Sequence, residues 1–284
     1  MNRFFTFSII ASMLFLINRC AVPEKQLEDA ELDELENVEM SLVGEEIVYR
    51  TDSTEMKGYM AFDEADTAKR PGILVVHEWW GHNAYVRERA DMLAELGYVA
   101  FAVDMYGDGQ QAEHPESAMK FSGMVMQNME LANDRFSKAM ELLAEHPLTK
   151  DGEMSAIGYC FGGSLILAMA NSGVELDGVA AFHSGVQLPI SPSVDLNAKV
   201  LVQNGADDPF ISPESVTAYK SAMDSLGKSY EYIAYDGAVH AYTNKGADEL
   251  GEKFDLPLKY NKEAESKSWD RLKSFLADLY SNPE

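Results

Sequence analysis

From residue 45 onward, short apolar runs alternate with longer amphipathic stretches. Residues 46–50 and 58–62 predict two strands around the polar turn 51–57, an antiparallel edge. Residues 72–77, introduced by Pro71, and 98–103, ending at Asp104, predict buried strands. Between them, 85–96 predicts a helix with Val86, Met92, Leu93 and Leu96 on one face and Gly97 at its end. Residues 115–145 predict one or two helices. Their methionines (Met119, Met124, Met126, Met129, Met140) fall at helical spacing and read as core or a pliable pocket wall rather than as metal ligands. Further strands are predicted at 154–159, 178–182, 199–203 and 230–235, with helices at 161–171, 213–226 and 263–279. Such alternation predicts a mostly parallel sheet of about eight strands with helices on both faces. Reactive groups in such sheets gather at the carboxyl ends of the strands.

Composition narrows the partners. The chain has 284 residues, 46% of them hydrophobic, and a net charge of −24, which disfavours a nucleic-acid backbone. The acid is concentrated: residues 24–46 carry many Asp and Glu against Lys25 alone. This stretch reads as a solvated spacer, since like charges so dense repel one another; no calcium-loop geometry is visible in it. Ahead of it, Asn2 and Arg3 precede an apolar run over 4–17 that is short for a membrane span and suits the core of a signal peptide. Cys20 follows at once, an order that resembles a bacterial lipoprotein, although Arg19 stands where such leaders carry a small residue. The expectation is a leader over 1–20, an acidic spacer over 21–44 and one domain over 45–284, exported to the periplasm or held at a membrane by a lipidated Cys20 or an uncleaved leader. Only two cysteines occur, so no disulfide framework is expected, and the interior Cys160 calls for another explanation.

That explanation lies in its neighbours. Gly158-Tyr159-Cys160-Phe161-Gly162, followed by Gly163, sits between a predicted strand and a predicted helix. It is the strand–nucleophile–helix elbow with sulfur in place of the serine oxygen. Side chains two residues either side of so sharp a turn would collide, which accounts for the glycines. The helix beginning at Phe161 sets its positive end beside the sulfur and favours the thiolate. The plainer alternative is a cysteine packed in the core.

A nucleophile of this kind needs a base and a group to orient it. Asp207 and Asp208 follow one predicted strand end and His240 another, in the order nucleophile, acid, histidine. Spacing alone does not choose between the adjacent aspartates; the one not used by the base can stabilise its turn.

With these residues in view, the chain resembles the dienelactone hydrolases (carboxymethylenebutenolidases) of the α/β-hydrolase superfamily. The matching segments are Val76-His77-Glu78-Trp79-Trp80-Gly81, Asn83, Arg87, Val103-Asp104-Met105-Tyr106, the cysteine elbow, Gly205 through Phe210, and His240. The resemblance implies an α/β-hydrolase fold and a Cys160, Asp208, His240 triad, and it places Glu78 beside the thiol as a participant in its activation. A charged carboxylate so close opposes thiolate formation, so displacing it or giving it a proton would switch the sulfur on; a surface salt bridge is the alternative for Glu78. The backbone N–H groups of Trp79 and Phe161 are the oxyanion candidates. Trp80, Tyr106, His183 and Asn244 are candidate pocket residues, and Trp79 and Trp80 are compatible with pocket walls. His77, His82 and His114 are left without a role, and no pair of histidines has metal spacing.

The resemblance weakens at the substrate. The family holds a substrate carboxylate with arginines, one of them four residues after the histidine, where this chain has Asn244. In the segment after Asp104 that carries the other, Lys120 is the lone permanent cation between Gly107 and Asn133. A lysine point charge does not replace a planar guanidinium. Arg87 and Arg89 remain possible anchors, with helix-surface pairing to Glu88 or Asp91 as the alternative. The expectation is a monomeric hydrolase that forms a thioester with a small ester or lactone, a neutral one at least as readily as one with a carboxylate, without metal or other cofactor. A thioesterase or peptidase on the same fold and a non-catalytic exported binding protein are the rival readings.

Overall fold

The computed structural model describes residues 40–51 and 54–281. The leader, Cys20 and most of the acidic spacer lie outside them. Eight strands form one sheet in the order β1-β2-β4-β3-β5-β6-β7-β8. β1 (Leu42–Thr51) and β2 (Thr54–Asp63) pair antiparallel, and β2 pairs antiparallel with β4 (Val99–Val103). β3 (Arg70–Val76), β5 (Thr149–Tyr159), β6 (Gly178–Phe182), β7 (Lys199–Gly205) and β8 (Tyr230–Tyr235) run parallel with β4. The predicted antiparallel edge and parallel body are both present.

Seven helices lie among the described residues: α1 (Ala84–Ala94), α2 (Pro115–Met126), α3 (Met129–Glu145), α4 (Phe161–Asn171), α5 (Pro213–Ser225), α6 (Ala247–Phe254) and α7 (Lys262–Tyr280). The segment 115–145 is two helices because Asn128 caps the second, its side chain accepting from Leu131 N at 3.2 Å. α6 was not predicted from the sequence; it is a short helix in which Asp248, Glu249, Glu252 and Lys253 are charged.

Within each strand, alternate residues feed opposite faces. Leu74, Val76, Phe101, Val103, Ala156, Val179 and Val202 meet α3, α4 and α5 through Phe136, Leu143, Leu165, Ile166 and Met223. Ile73, Val75, Ala100, Ala102, Ile157, Ala180 and Leu201 meet α1 and α7 through Val86, Leu93, Leu272 and Leu276. Burial on both faces explains why β4 and β6 are apolar at every position.

The order of strands fixes where a site can form. From β3 the chain proceeds to β4 on one side, and β5 then takes the place on the other side of β3. That reversal opens a crevice beyond the carboxyl ends of β3 and β5. Glu78 follows β3 and Cys160 follows β5.

Candidate active site

Cys160 occupies the turn between β5 and α4 with φ 55° and ψ −116°, a backbone conformation that an L residue holds only under constraint. The surroundings supply that constraint. A Cβ on Gly158 would meet the backbone of Gly162 and Gly163, one on Gly162 would meet the carbonyls of Val76 and His77, and one on Gly163 the Ser184 side chain. Cys160 N donates to Phe182 O at 2.9 Å and Gly162 N to His77 O at 3.1 Å, tying the elbow to β6 and to the end of β3. Cys160 stands at the helix N-cap without a capping hydrogen bond from its side chain, so the thiol is not spent on the helix. It is partly exposed, unlike a core cysteine.

Asp208 and His240 come together across 32 residues. His240 Nδ1 lies 2.7 Å from Asp208 Oδ2, both groups buried. Asp208 Oδ1 accepts from Phe210 N at 2.9 Å, which orients the carboxylate. Asp207 is exposed, its backbone N donating to Ala238 O at 3.0 Å. Asp208 is therefore the aspartate that faces the imidazole. Burial alone would lower the pKa of His240, but negative charge at Cys160 and hydrogen bonding to Asp208 and Cys160 outweigh it and push it up to about 10. With Nδ1 held by Asp208, Nε2 is the nitrogen left for the sulfur.

Glu78 is not a surface salt bridge. It is 3% exposed, and its Oε2 accepts from Asn244 Nδ2 at 2.7 Å. Burial raises its pKa to about 7, against the lowering effects of the Asn244 hydrogen bond and the charges of His240 and Arg89. Asn244, predicted to lie in the substrate pocket, is thus committed to Glu78.

The loop that carries Glu78 is organised by His77, a residue the sequence left without a role. Met105 N donates to His77 Nε2 at 3.2 Å, so the ring proton belongs on Nδ1, which lies 2.6 Å from Glu78 O. Burial lowers the His77 pKa to about 4 and keeps the ring neutral, as those two bonds require. Tyr106, also predicted as a pocket residue, is buried and donates its hydroxyl to Trp79 O at 3.0 Å. Two side chains therefore fix the backbone around Trp79. The amides of Trp79 and Phe161 have no hydrogen-bond partner among the described residues, as oxyanion donors require. Asp104 accepts from the backbone N–H groups of Lys57, Tyr106, Gly107 and Gly109 and holds the adjoining loop.

Aromatic and apolar groups flank this centre. Trp80 packs edge-on against Trp79 at 5.1 Å and stacks on Phe254 of α6 at 5.9 Å. Phe210 covers the His240 ring edge-on at 5.1 Å while remaining 54% exposed; it lies within the matched motif, but nothing in its sequence position marked this contact. His183 is fully buried, and Nε2 lies 2.8 Å from Thr243 Oγ1. Arg89 is not an anchor at the surface: it is buried and donates to Thr243 O and to Glu265 Oε1. Arg87 pairs with Glu46 at 3.1 Å and lies over the Tyr59 ring. Neither forms the predicted pair with Glu88 or Asp91. Among the described residues, no cluster of three or more His, Cys, Asp or Glu suits a metal ion.

Comparison with known proteins places the arrangement. Among solved structures, a protein named m3DLH superposes with a TM-score of 0.79 at 30% identity, covering 84% of this chain and 98% of its own. A dienelactone hydrolase-like promiscuous phosphotriesterase from metagenomic libraries gives 0.77 at 28% identity, covering 84% and 99%. A protein of Aquifex aeolicus, provisionally named carboxymethylenebutenolidase, is 26% identical over 73% of this chain and 90% of its own length. The model of the dienelactone hydrolase family matches residues 56–280, from β2 to the end of α7. The chain belongs to the dienelactone hydrolase family of α/β-hydrolases and is a carboxylic ester or lactone hydrolase.

Proposed function

We propose that the chain cleaves small neutral esters or lactones through Cys160, His240 and Asp208, by way of a thioester. The observation that carries this reading is the His240 ring, held at Nδ1 by buried Asp208 with Nε2 left to face the Cys160 sulfur. An imidazole so held can take the thiol proton and pair with the resulting thiolate.

The Cys160 sulfur attacks the carbonyl carbon and forms a C–S bond, while the carbonyl oxygen takes the negative charge opposite the amides of Trp79 and Phe161. The tetrahedral adduct collapses, the C–O bond to the alcohol breaks, and His240 Nε2 gives the leaving oxygen its proton. The same nitrogen then removes a proton from water, which attacks the thioester; the acid leaves and the thiolate returns. Glu78, buried and with a pKa near 7, is the acceptor or donor beside this centre whose charge sets how readily the sulfur ionises.

Neutral substrates are favoured because the position four residues after His240 is Asn244, already bound to Glu78, and Arg89 is bound to Glu265. Trp79, Phe210 and Phe254, none of them fully buried, offer apolar surface in place of a charged clamp. The same features, with the resemblance to a promiscuous phosphotriesterase, support neutral phosphotriesters as a second substrate class. A thioesterase or peptidase would use the same elbow, and substrate profiling separates them.

The test is hydrolysis of a short activated aryl ester by the full chain and by Cys160→Ala. Loss of activity in a folded variant supports the reading, and equal activity in both would end it. For the leader, we propose export, with residues 45–284 as the catalytic domain and Cys20 as the lipidation site. Growth of the native host with radioactive fatty acid labels the protein on this view; an unlabelled product removes the lipid anchor.

A further inference from the structure

The turn that carries His240 is held by a buried polar chain that the reaction itself does not use. His183 follows β6 and adopts φ 38°, in the left-handed region, with its N–H donating to Gln203 O at 2.9 Å. Its ring is fully buried and stands edge-on to His240 at 5.3 Å and to Tyr242 at 5.5 Å. Nε2 lies 2.8 Å from Thr243 Oγ1, which in turn lies 2.6 Å from the Tyr85 hydroxyl. Nδ1 has no partner. A buried N–H without an acceptor is rarer than a buried lone pair without a donor. The ring proton therefore belongs on Nε2, and His183 donates to Thr243. Burial lowers its pKa well below the ordinary value, and the charges of His240 and Arg89 add to this, so the ring stays neutral beside a protonated His240. Thr243 is gripped from the other side by Arg89, which donates to its carbonyl and pairs with Glu265 at 2.7 Å.

Residues 240–244 thus form one short piece with three tasks: His240 faces Cys160 and Asp208, Thr243 is locked from below, and Asn244 holds Glu78. We infer that His183 is a positioning residue, which by its hydrogen bond to Thr243 sets the register of this piece and so places His240 against the sulfur and Asn244 against Glu78. The inference rests on the proposed pairing of Cys160 with His240. A strained backbone at His183 fits a residue held in place for position rather than for stability.

The experiment uses the full chain with His183→Phe, His183→Gln, Thr243→Val and the double variant His183→Phe/Thr243→Val. Phe keeps the ring volume and loses the donor, whereas the Gln side-chain N–H reaches where Nε2–H stood. Two readouts are taken per folded molecule: kcat and KM on an activated aryl ester, and the rate of iodoacetamide alkylation of the Cys160 peptide against pH, followed by mass spectrometry so that Cys20 does not intrude. The titratable groups facing His240 are Asp208 after β7, Cys160 at the elbow, Glu78 after β3 and His183 after β6, with Arg89 of α1 facing Glu78 and His183.

His183→Phe is expected to lower kcat about 10- to 100-fold with little change in KM, the cost of a misplaced base. Its alkylation profile moves to higher pH than that of the parent, because a displaced imidazolium no longer supports the thiolate. His183→Gln restores most of both. Thr243→Val reproduces the loss, and the double variant adds little to either single change. The inference is overturned if His183→Phe and Thr243→Val keep the parental kcat and alkylation profile, whatever their thermal stability, which makes His183 a packing residue. If His183→Phe does not fold, Thr243→Val alone decides by the same two readouts. Full activity in Cys160→Ala would overturn the parent reading of the nucleophile instead, while the alkylation profiles still report whether His183 places His240.

Discussion

On one face of the sheet, Leu165, Ile166 and Met169 of α4 meet Leu74, Val76 and Val179. On the other, Tyr85, Tyr159 and Trp269 surround the buried guanidinium of Arg89, and Tyr235 and Tyr242 both bond to Gln203. Both faces exclude water, but by different means. Around α4 the first is mainly aliphatic, with Phe101 and Phe136 further along the same face, and its energy scales with apolar area whatever the exact rotamers. The second adds to its aliphatic contacts an aromatic and hydrogen-bonded group around Arg89 and Gln203, whose directional contacts fix where its loops stand. Cys160 rises between them, its helix packed on the first face, while the turn that carries His240 and Asn244 is held by the second through Thr243. The comparison separates what keeps the chain folded from what keeps the site aligned.

The sharpest break in it comes at the edge of the polar side. Asp208→Asn leaves the shape of the turn and removes the charge that selects the His240 tautomer and stabilises its protonated form. A loss in kcat/KM on the order of a thousandfold or more is expected, by analogy with other acid–histidine pairs. Asp207→Asn, one residue away and exposed, is expected to stay within about threefold of the parent, since surface changes rarely matter. Steady-state kinetics on one ester decides, and the reverse ranking would move the acid to Asp207.

The aliphatic side breaks in the opposite sense. Leu165→Ala opens a cavity in a fully buried position and is expected to cost about 2–5 kcal/mol of stability. The kcat of the molecules that remain folded should change little, because Leu165 reaches no hydrogen bond of the site. Urea unfolding paired with active-site titration checks both halves. A large fall in kcat per titrated site would mean that the two faces are coupled through the elbow.

How much of this was legible follows the same division. Apolar runs located β3, β4, β6, β7 and β8 and helices α1, α4, α5 and α7 within a few residues; the polar start of β5, Thr149–Glu153, and the break between α2 and α3 left no such record. The elbow was legible because the crowding at Gly158, Gly162 and Gly163 leaves glycine as the residue that fits. Spacing left Asp207 and Asp208 open, and a difference in burial separates them. The supports were not legible. His77, Thr243 and Arg89 act through partners 28, 60 and 154 residues away, and no local pattern carries such distances. Arg89 in particular has the sequence look of a helix-surface cation, and the acid that buries it, Glu265, lies on the last helix.

Glu78 gives the smaller of the two predicted stability changes, and it distinguishes the two faces by pH. Its pKa is raised from 4.5 to about 7, chiefly by burial. Between these values the folded chain keeps a proton that the unfolded chain has released, so stability falls as pH rises through the window and levels off above pH 7. Ionised Glu78 is thus a cost that the fold carries at neutral pH, on the order of 3 kcal/mol at the shift given. Glu78→Gln removes the charge and keeps an oxygen that accepts from Asn244 Nδ2. The variant should match the parent near pH 4 and exceed it in urea unfolding free energy at pH 8, by about 2–3 kcal/mol. Leu165→Ala, by contrast, should lower stability by the same amount at both pH values, since no proton is involved. A constant offset between Glu78→Gln and the parent across the whole range would mean that Glu78 titrates alike in the folded and unfolded chains. The carboxyl would then not be the buried, near-neutral group on which its proposed part in activating Cys160 depends.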